Sequence, residues 1–347
     1  MQIANGVFAV KSSLKILLIM LGSLTGLTAL AQEYQVPRTE WGVPDFRAVW
    51  KHASIIPLER PRELGDKRTY TAEEAYAIER AEQERFDQDN EPLDPDRPPP
   101  EVADSLPPIG NYDLFWREDA QFIPTIDGEF RTSAIIDPPN GRLPELQPEM
   151  ASLLQERRRD DQDTRGRRSD GPEGRSLGER CLVAFGNLSG PVMSPIIYNS
   201  NLQIVQSPGY VVIIAEMVHD ARIVKITDQR GPAAEEHRKW MGDSIGYWDG
   251  DTLVVETKYF NTWHRFRGLP VDNLTVTERF RREGENKLVY GFTVNDPTLF
   301  TTEFTGEYPL SRMDESLYEY ACHEGNYGMV GILAGARTLE VQAEAED

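Results

Sequence analysis

The residues best able to do chemistry in this 347-residue chain are acids and histidines that stand at strand-like positions where apolar side chains are expected. The run Tyr210-Val-Val-Ile-Ile-Ala-Glu-Met-Val-His-Asp-Ala-Arg222 carries Glu216, His219 and Asp220, and Cys322-His323-Glu324 adds a second group. An unpaired buried charge is costly, so such groups imply either a site or an internal ion-pair network. A carboxyl group raised by burial beside a histidine is an acid–base pair. The candidate catalytic set is Glu278, Glu216, His219, Asp220 and His323. The competing reading has these groups pairing with Arg222 or Arg265 and capping strand ends. His219, Asp220, His323 and Glu324 carry zinc-binding atoms, but neighbours on a strand point to opposite faces, so no metal site is expected. No cofactor is expected either: the sequence has no phosphate-binding loop, dinucleotide fingerprint or HExxH. Gly242-Asp-Ser-Ile-Gly246 matches a nucleophile elbow at Ser244, yet that elbow follows a strand and opens a helix, the reverse of the order here.

Alternation says which of these side chains point inward. In Leu274–Arg282 one face holds Leu274, Val276, Glu278 and Phe280, which places Glu278 among apolar neighbours. Leu288, Tyr290, Phe292 and Val294 form the inner face of the next strand, and Phe300, Thr302, Phe304 and Tyr308 that of the one after, leaving Glu303 and Glu307 solvated. Tyr318, Tyr320, Cys322 and Glu324 share a face of a final strand. Glu256, beside Val254, is ambiguous. An interior this aromatic suits an apolar or aromatic ligand, with Tyr290, Phe292, Phe304, Tyr308, Tyr320 and Glu256 as the binding set. Rings of this kind also simply fill small barrels.

The elements that must hold these side chains are short strands separated by Pro208-Gly209, Asp249-Gly250, Glu283-Gly-Glu-Asn286 and Asp296-Pro297, with Asp249-Gly250 a type I′ hairpin signal. Only 232–241 looks helical in this part of the chain. The pattern indicates a mainly β protein, an antiparallel meander of about eight or nine strands closing into a lipocalin-like barrel over 176–338. Residues 32–175 read as an irregular extension, rich in proline and acids, packing on that barrel. It holds one helix from Thr71 to Asp87 capped by Thr71, and a disordered linker over about 155–175. Residues 339–347 read as an acidic tail.

Residues 1–31 have the form of a secretory signal: Lys11 and Lys15, an apolar run from Ile16 to Leu27, and a cleavage site after Ala31. No later segment is apolar enough to span a bilayer. Removing the signal takes the net charge from −20 to −22, which argues against nucleic acid and anionic membranes as partners. The two cysteines of an exported chain, Cys181 and Cys322, make one disulfide the simplest expectation. It would close a loop of roughly 140 residues, worth on the order of 4–5 kcal/mol.

The segments Ser176-Leu-Gly-Glu-Arg-Cys181, Gln206-Ser-Pro-Gly-Tyr-Val211, Glu216-Met-Val-His-Asp220, Trp248-Asp-Gly-Asp-Thr-Leu-Val-Val-Glu-Thr257 and Tyr318-Glu-Tyr-Ala-Cys-His-Glu-Gly-Asn-Tyr327 resemble a family of secreted bacterial proteins with no established activity. One departure is Tyr259, where that pattern has Asn before Phe260. The resemblance implies a bacterial source and export to the periplasm or beyond. It transfers no catalytic assignment. Three readings of function therefore stand: a barrel that binds a small apolar or aromatic molecule, a cofactor-independent acid–base enzyme on the same barrel, and an envelope interaction module.

Overall fold

The structure, a computed structural model, describes residues 34–89, 91, 122–163, 169–185, 190–196, 198–228 and 237–346. The proposed signal at 1–31 and most of the 232–241 helix lie outside the described residues.

Among the described residues twelve strands run in chain order: β1 (Ala48–Lys51), β2 (Thr69–Tyr70), β3 (Phe130–Arg131), β4 (Ile135–Asp137), β5 (Leu202–Ser207), β6 (Tyr210–Ala215), β7 (Ala221–Ile226), β8 (Asp243–Asp249), β9 (Thr252–Lys258), β10 (Thr275–Gly284), β11 (Lys287–Asn295) and β12 (Phe304–Met313). The helices are α1 (Ala72–Asp89), α2 (Pro148–Asp163) and α3 (Tyr327–Glu346). β1 and β5 to β12 form a closed ring, because β1 pairs with β5 on one side and with β12 on the other. The molecule is thus a closed barrel. One pair, β7 with β8, is parallel, so the meander is interrupted once.

The extension at 32–175 does more than pack on the barrel. Trp50, fully buried, puts β1 into the wall as a stave, and the Gln206 side chain clamps it by accepting from Phe46 N–H and donating to the Pro44 carbonyl. β4 then covers the first half of the same β12 edge. β2 and β3 form a separate ribbon, with Ile56, Ala75 and Ile123 as a small core beneath α1. Thr71 caps α1 as expected: its hydroxyl accepts from Glu74 N–H, and the Glu74 carboxylate accepts from Thr71 N–H. The linker expected over 155–175 is helical as far as Asp163, because Met150 and Leu154 anchor the first turns of α2 on the core. The expected acidic tail belongs to α3.

Two strand expectations fail for clear reasons. Tyr210–Arg222 is β6 and β7 joined by a tight turn at Met217–His219, where Val218 and His219 both take left-handed φ values of 65° and 46°. That turn restarts the alternation, so Arg222 faces inward. The stretch 316–323 is irregular, because β11 on one side and β4 and β1 on the other already occupy both edges of β12. The β8–β9 hairpin forms at Gly250-Asp251, with positive φ at Gly250 alone instead of the two such residues of a type I′ turn. Ser244 is a buried β8 residue hydrogen-bonded to Thr257 Oγ1 (2.8 Å), not a nucleophile elbow. Tyr259 adopts φ 55°, a conformation that asparagine takes more readily.

Candidate functional site

The lumen of the barrel is occupied by its own side chains. Phe280, Tyr290, Phe292, Phe304, Tyr308 and Leu310 are each at most 2% exposed. The five aromatic rings among them form a continuous column, with centroids 5.2 Å apart for Phe280–Tyr290 and 5.9 Å for Phe292–Tyr308. A void able to hold water would leave accessible area on its walls, and these walls have almost none. Tyr290, Phe292, Phe304 and Tyr308, expected to line a ligand cavity, are core. Glu256 faces out, because Leu253, Val255 and Thr257 take the inward positions of β9.

Glu278 is interior, as its strand position predicts, and fully buried. It receives both terminal nitrogens of Arg222, one of them at 2.8 Å, and the hydroxyl of Tyr290 at 3.0 Å. Tyr290 in turn accepts from Met193 N–H (3.1 Å), and the Met193 carbonyl lies 3.0 Å from His52 Nε2. Val192 and Met193 plug the barrel here, so donors run from the plug through Tyr290 to the carboxylate. Burial alone would lower Arg222, but the Glu278 charge outweighs it and holds the guanidinium above its usual value. Burial, then the Glu278 charge, pushes the Tyr290 phenol well above 10. Burial also draws His52 down to about 3, so its ring is neutral. Nε2 then carries the proton donated to Met193, and Nδ1, which has no hydrogen-bond partner, is a bare lone pair. His52 is absent from the sequence-derived candidates, although Phe46, Ala48, Trp50 and His52 alternate on an inward face.

The remaining candidates gather at the barrel rim, around the Cys181–Cys322 disulfide, whose Cα atoms are 5.7 Å apart. Glu216, 1% exposed, accepts from the Asn201 side chain (2.8 Å) and from Tyr318 N–H (2.7 Å), pinning the segment after β12 to the β6–β7 turn. His219 is exposed, with Nδ1 3.2 Å from the Tyr320 carbonyl. Asp220 closes the turn through its carbonyl, which accepts from Ala215 N–H. His323 is exposed in the turn after the disulfide. The catalytic set is therefore split: Glu278 sits in the lumen, and Glu216, His219, Asp220 and His323 belong to the rim.

Glu307 is only 18% exposed, not solvated. It shares a network outside the barrel with Arg131 and Arg281, and burial raises its carboxyl.

The rim segments enclose a cleft of about 530 Å³. Phe185, Tyr318, Tyr320, Met329 and Ile332 supply its apolar surface, and Glu179, Asn199, Glu319 and Asn326 its polar groups. Its floor rests on Ala184, Met217 and Val218. Asn326 both caps α3, through Met329 N–H, and donates to the Glu179 carbonyl, which fixes one wall against another. Among the described residues, no group of three or more His, Cys, Asp or Glu is arranged to hold a metal, and no helix is long and apolar enough to cross a membrane. Searches of family models, curated proteins and solved structures match nothing to this chain.

Proposed function

We propose that this chain is an exported binding protein for a small apolar or aromatic molecule, and that the ligand occupies the rim cleft instead of the lumen. The observation that carries this reading is the convergence of half-exposed Phe185, Tyr318 and Ile332 on a preformed space of about 530 Å³, within the usual size of a ligand site. Glu216 and the disulfide act as positioning groups that tie the segments bearing the walls to one another. Export is supported by the signal-like residues 1–31, by the disulfide and by the resemblance to secreted proteins. The acid–base pair expected of the catalytic alternative is not assembled in this cleft: Glu278 and Glu216 direct their oxygens to partners inside the protein, and the acids that line the cleft, Glu179 and Glu319, share its lining with no histidine.

The test uses Nile red, a neutral apolar dye, with the disulfide-intact protein lacking 1–31. Saturable one-site fluorescence enhancement is expected, weakened about ten-fold or more by Tyr318→Ser and by Ile332→Asp. Enhancement that both variants leave unchanged would sink the assignment of the cleft.

A further inference from the structure

We propose a second site, for a small aromatic molecule with one anionic head, in the neighbouring cleft between the Arg175–Phe185 segment and Trp263–Arg265. This goes beyond the rim cleft, from which it is separated by Gly178 and Phe185, residues common to both linings. The space measures about 280 Å³, enough for a single substituted ring.

Its chemistry runs against that of the chain. The protein carries 57 acids and 37 lysines and arginines, yet this lining holds Arg175, Arg180, Arg265 and no acid. Arg175 is paired with Glu179, which faces the other cleft. Its Nε is buried with no hydrogen-bond partner. Arg265 is bent over the carbonyls of Thr262 and His264, which fixes its guanidinium in place. Arg180 has no ion-pair or side-chain hydrogen-bond partner among the described residues, although its backbone is held in the turn by N–H to the Ser176 carbonyl. A planar guanidinium without an acid is the group that receives a carboxylate or phosphate through paired hydrogen bonds.

The apolar half of the lining fits the same ligand. Trp263 stands 58% exposed at the edge, its backbone fixed by the Asn261 side chain (2.9 Å). Leu177, Val183 and Phe185 complete a surface on which an aromatic ring can lie. His264 is the back wall, buried and stacked on Phe260 with ring centroids 5.9 Å apart. A lone tryptophan that exposed, next to an unpaired arginine, is the arrangement that captures a ring on one side and its charge on the other.

Isothermal titration with benzoate, phenyl phosphate and the neutral benzamide tests this on the disulfide-intact protein. Saturable binding of benzoate or phenyl phosphate is expected, with benzamide at least about ten-fold weaker. Arg180→Gln removes a guanidinium that makes no ion pair or side-chain hydrogen bond among the described residues and keeps most of the aliphatic stem, so it is expected to keep the melting temperature and lose about ten-fold or more in affinity. Trp263→Ala, at an exposed position, is expected to weaken the same ligand, and Ile332→Asp in the other cleft to leave it unchanged. The proposal is overturned if neither anion binds saturably, if benzamide binds as well as the anions, or if Arg180→Gln and Trp263→Ala bind like the parent protein.

Discussion

The Arg222–Glu278 pair makes the sharpest prediction, because its two ends cannot escape their burial in the same way. Glu278 accepts three hydrogen bonds, two from Arg222 and one from Tyr290, and both partners are nearly inaccessible. Replacing Glu278 with Leu leaves a guanidinium that cannot deprotonate and a phenol without an acceptor. The expected loss is about 3–5 kcal/mol for the stranded charge, with roughly 1–3 kcal/mol more for the hydroxyl. Replacing Arg222 with Met strands a carboxylate, which can take up a proton. That escape limits its cost at about pH 7 to about 4 kcal/mol, the free energy of protonating a glutamate whose ordinary pKa is about 4.3. In that variant the folded state holds one proton more than the unfolded state, so stability relative to the parent should rise on acidification. About 2.7 kcal/mol should return between about pH 7 and about pH 5. The double variant Arg222→Met with Glu278→Leu replaces the pair by apolar side chains of similar size and should cost less than either single change. Denaturant unfolding of all four proteins at the two pH values is the assay, with the slope m checked for constancy. A loss below about 1 kcal/mol for Glu278→Leu, a double variant that sums the single losses, or a pH-independent penalty for Arg222→Met would each refute the reasoning.

The neutral buried histidines give a second pH effect of opposite sign. His52 and His264 have folded values of about 3 and about 4, both lowered first by burial, and an unfolded histidine takes up its proton near pH 6.5. Stability should therefore fall as pH drops below about 6.5, by about 1.4 kcal/mol per pH unit for each, and His52→Gln should reduce the measured slope by about one proton. Reducing Cys181–Cys322, or replacing both by Ala, should cost about 5 kcal/mol in the chain-entropy account and abolish Nile red binding; dye binding that survives with the fold intact would detach the cleft from the disulfide. Gly306→Ala should cost about 1–3 kcal/mol in denaturant unfolding, since a Cβ there would stand 2.4 Å from the Phe292 ring; a neutral effect would mean that the aromatic column has room to yield.

How much of this was readable depends on the range of the interaction involved. Glu278 was found inside because Leu274, Val276 and Phe280 alternate with it on an unbroken strand, and period-two patterning needs nothing beyond the local chain. The Thr71 cap was equally local, and so was the β8–β9 hairpin, although its turn falls at Gly250-Asp251 and is not the type I′ that Asp249-Gly250 predicts. Glu216 and His219 were harder: their place depends on a turn that puts β-branched Val218 into a left-handed conformation, which no propensity favours and only the surrounding packing of Met217, Ala184 and Tyr320 sustains. The β1 stave was hidden for another reason. Four residues make too short a run to signal a strand, and what holds Ala48–Lys51 is pairing with Leu202–Ile204 and Ser311–Met313, both far along the chain.

The same distinction explains why the proposed site lies at the rim and not in the lumen. Polar groups on strands are forced inward by alternation whatever their role, and once there they must be paired; Arg222, Glu278, Tyr290, Met193 and His52 do this among themselves, and the two atoms that find no hydrogen-bond partner, Arg222 Nε and His52 Nδ1, are both sealed from solvent. Side chains on turns carry no such constraint. Phe185, Tyr318 and Trp263 remain substantially exposed although each is rigidly based, by Met217, Glu216 and Asn261 respectively. An exposed aromatic on a fixed backbone gains little hydrophobic free energy in folding, and several such rings grouped around two clefts are the apolar surface that the proposed ligand sites use. Buried charge in this protein is paired within its architecture, and the exposed aromatic surface around the Cys181 loop is the surface that the proposed binding role uses.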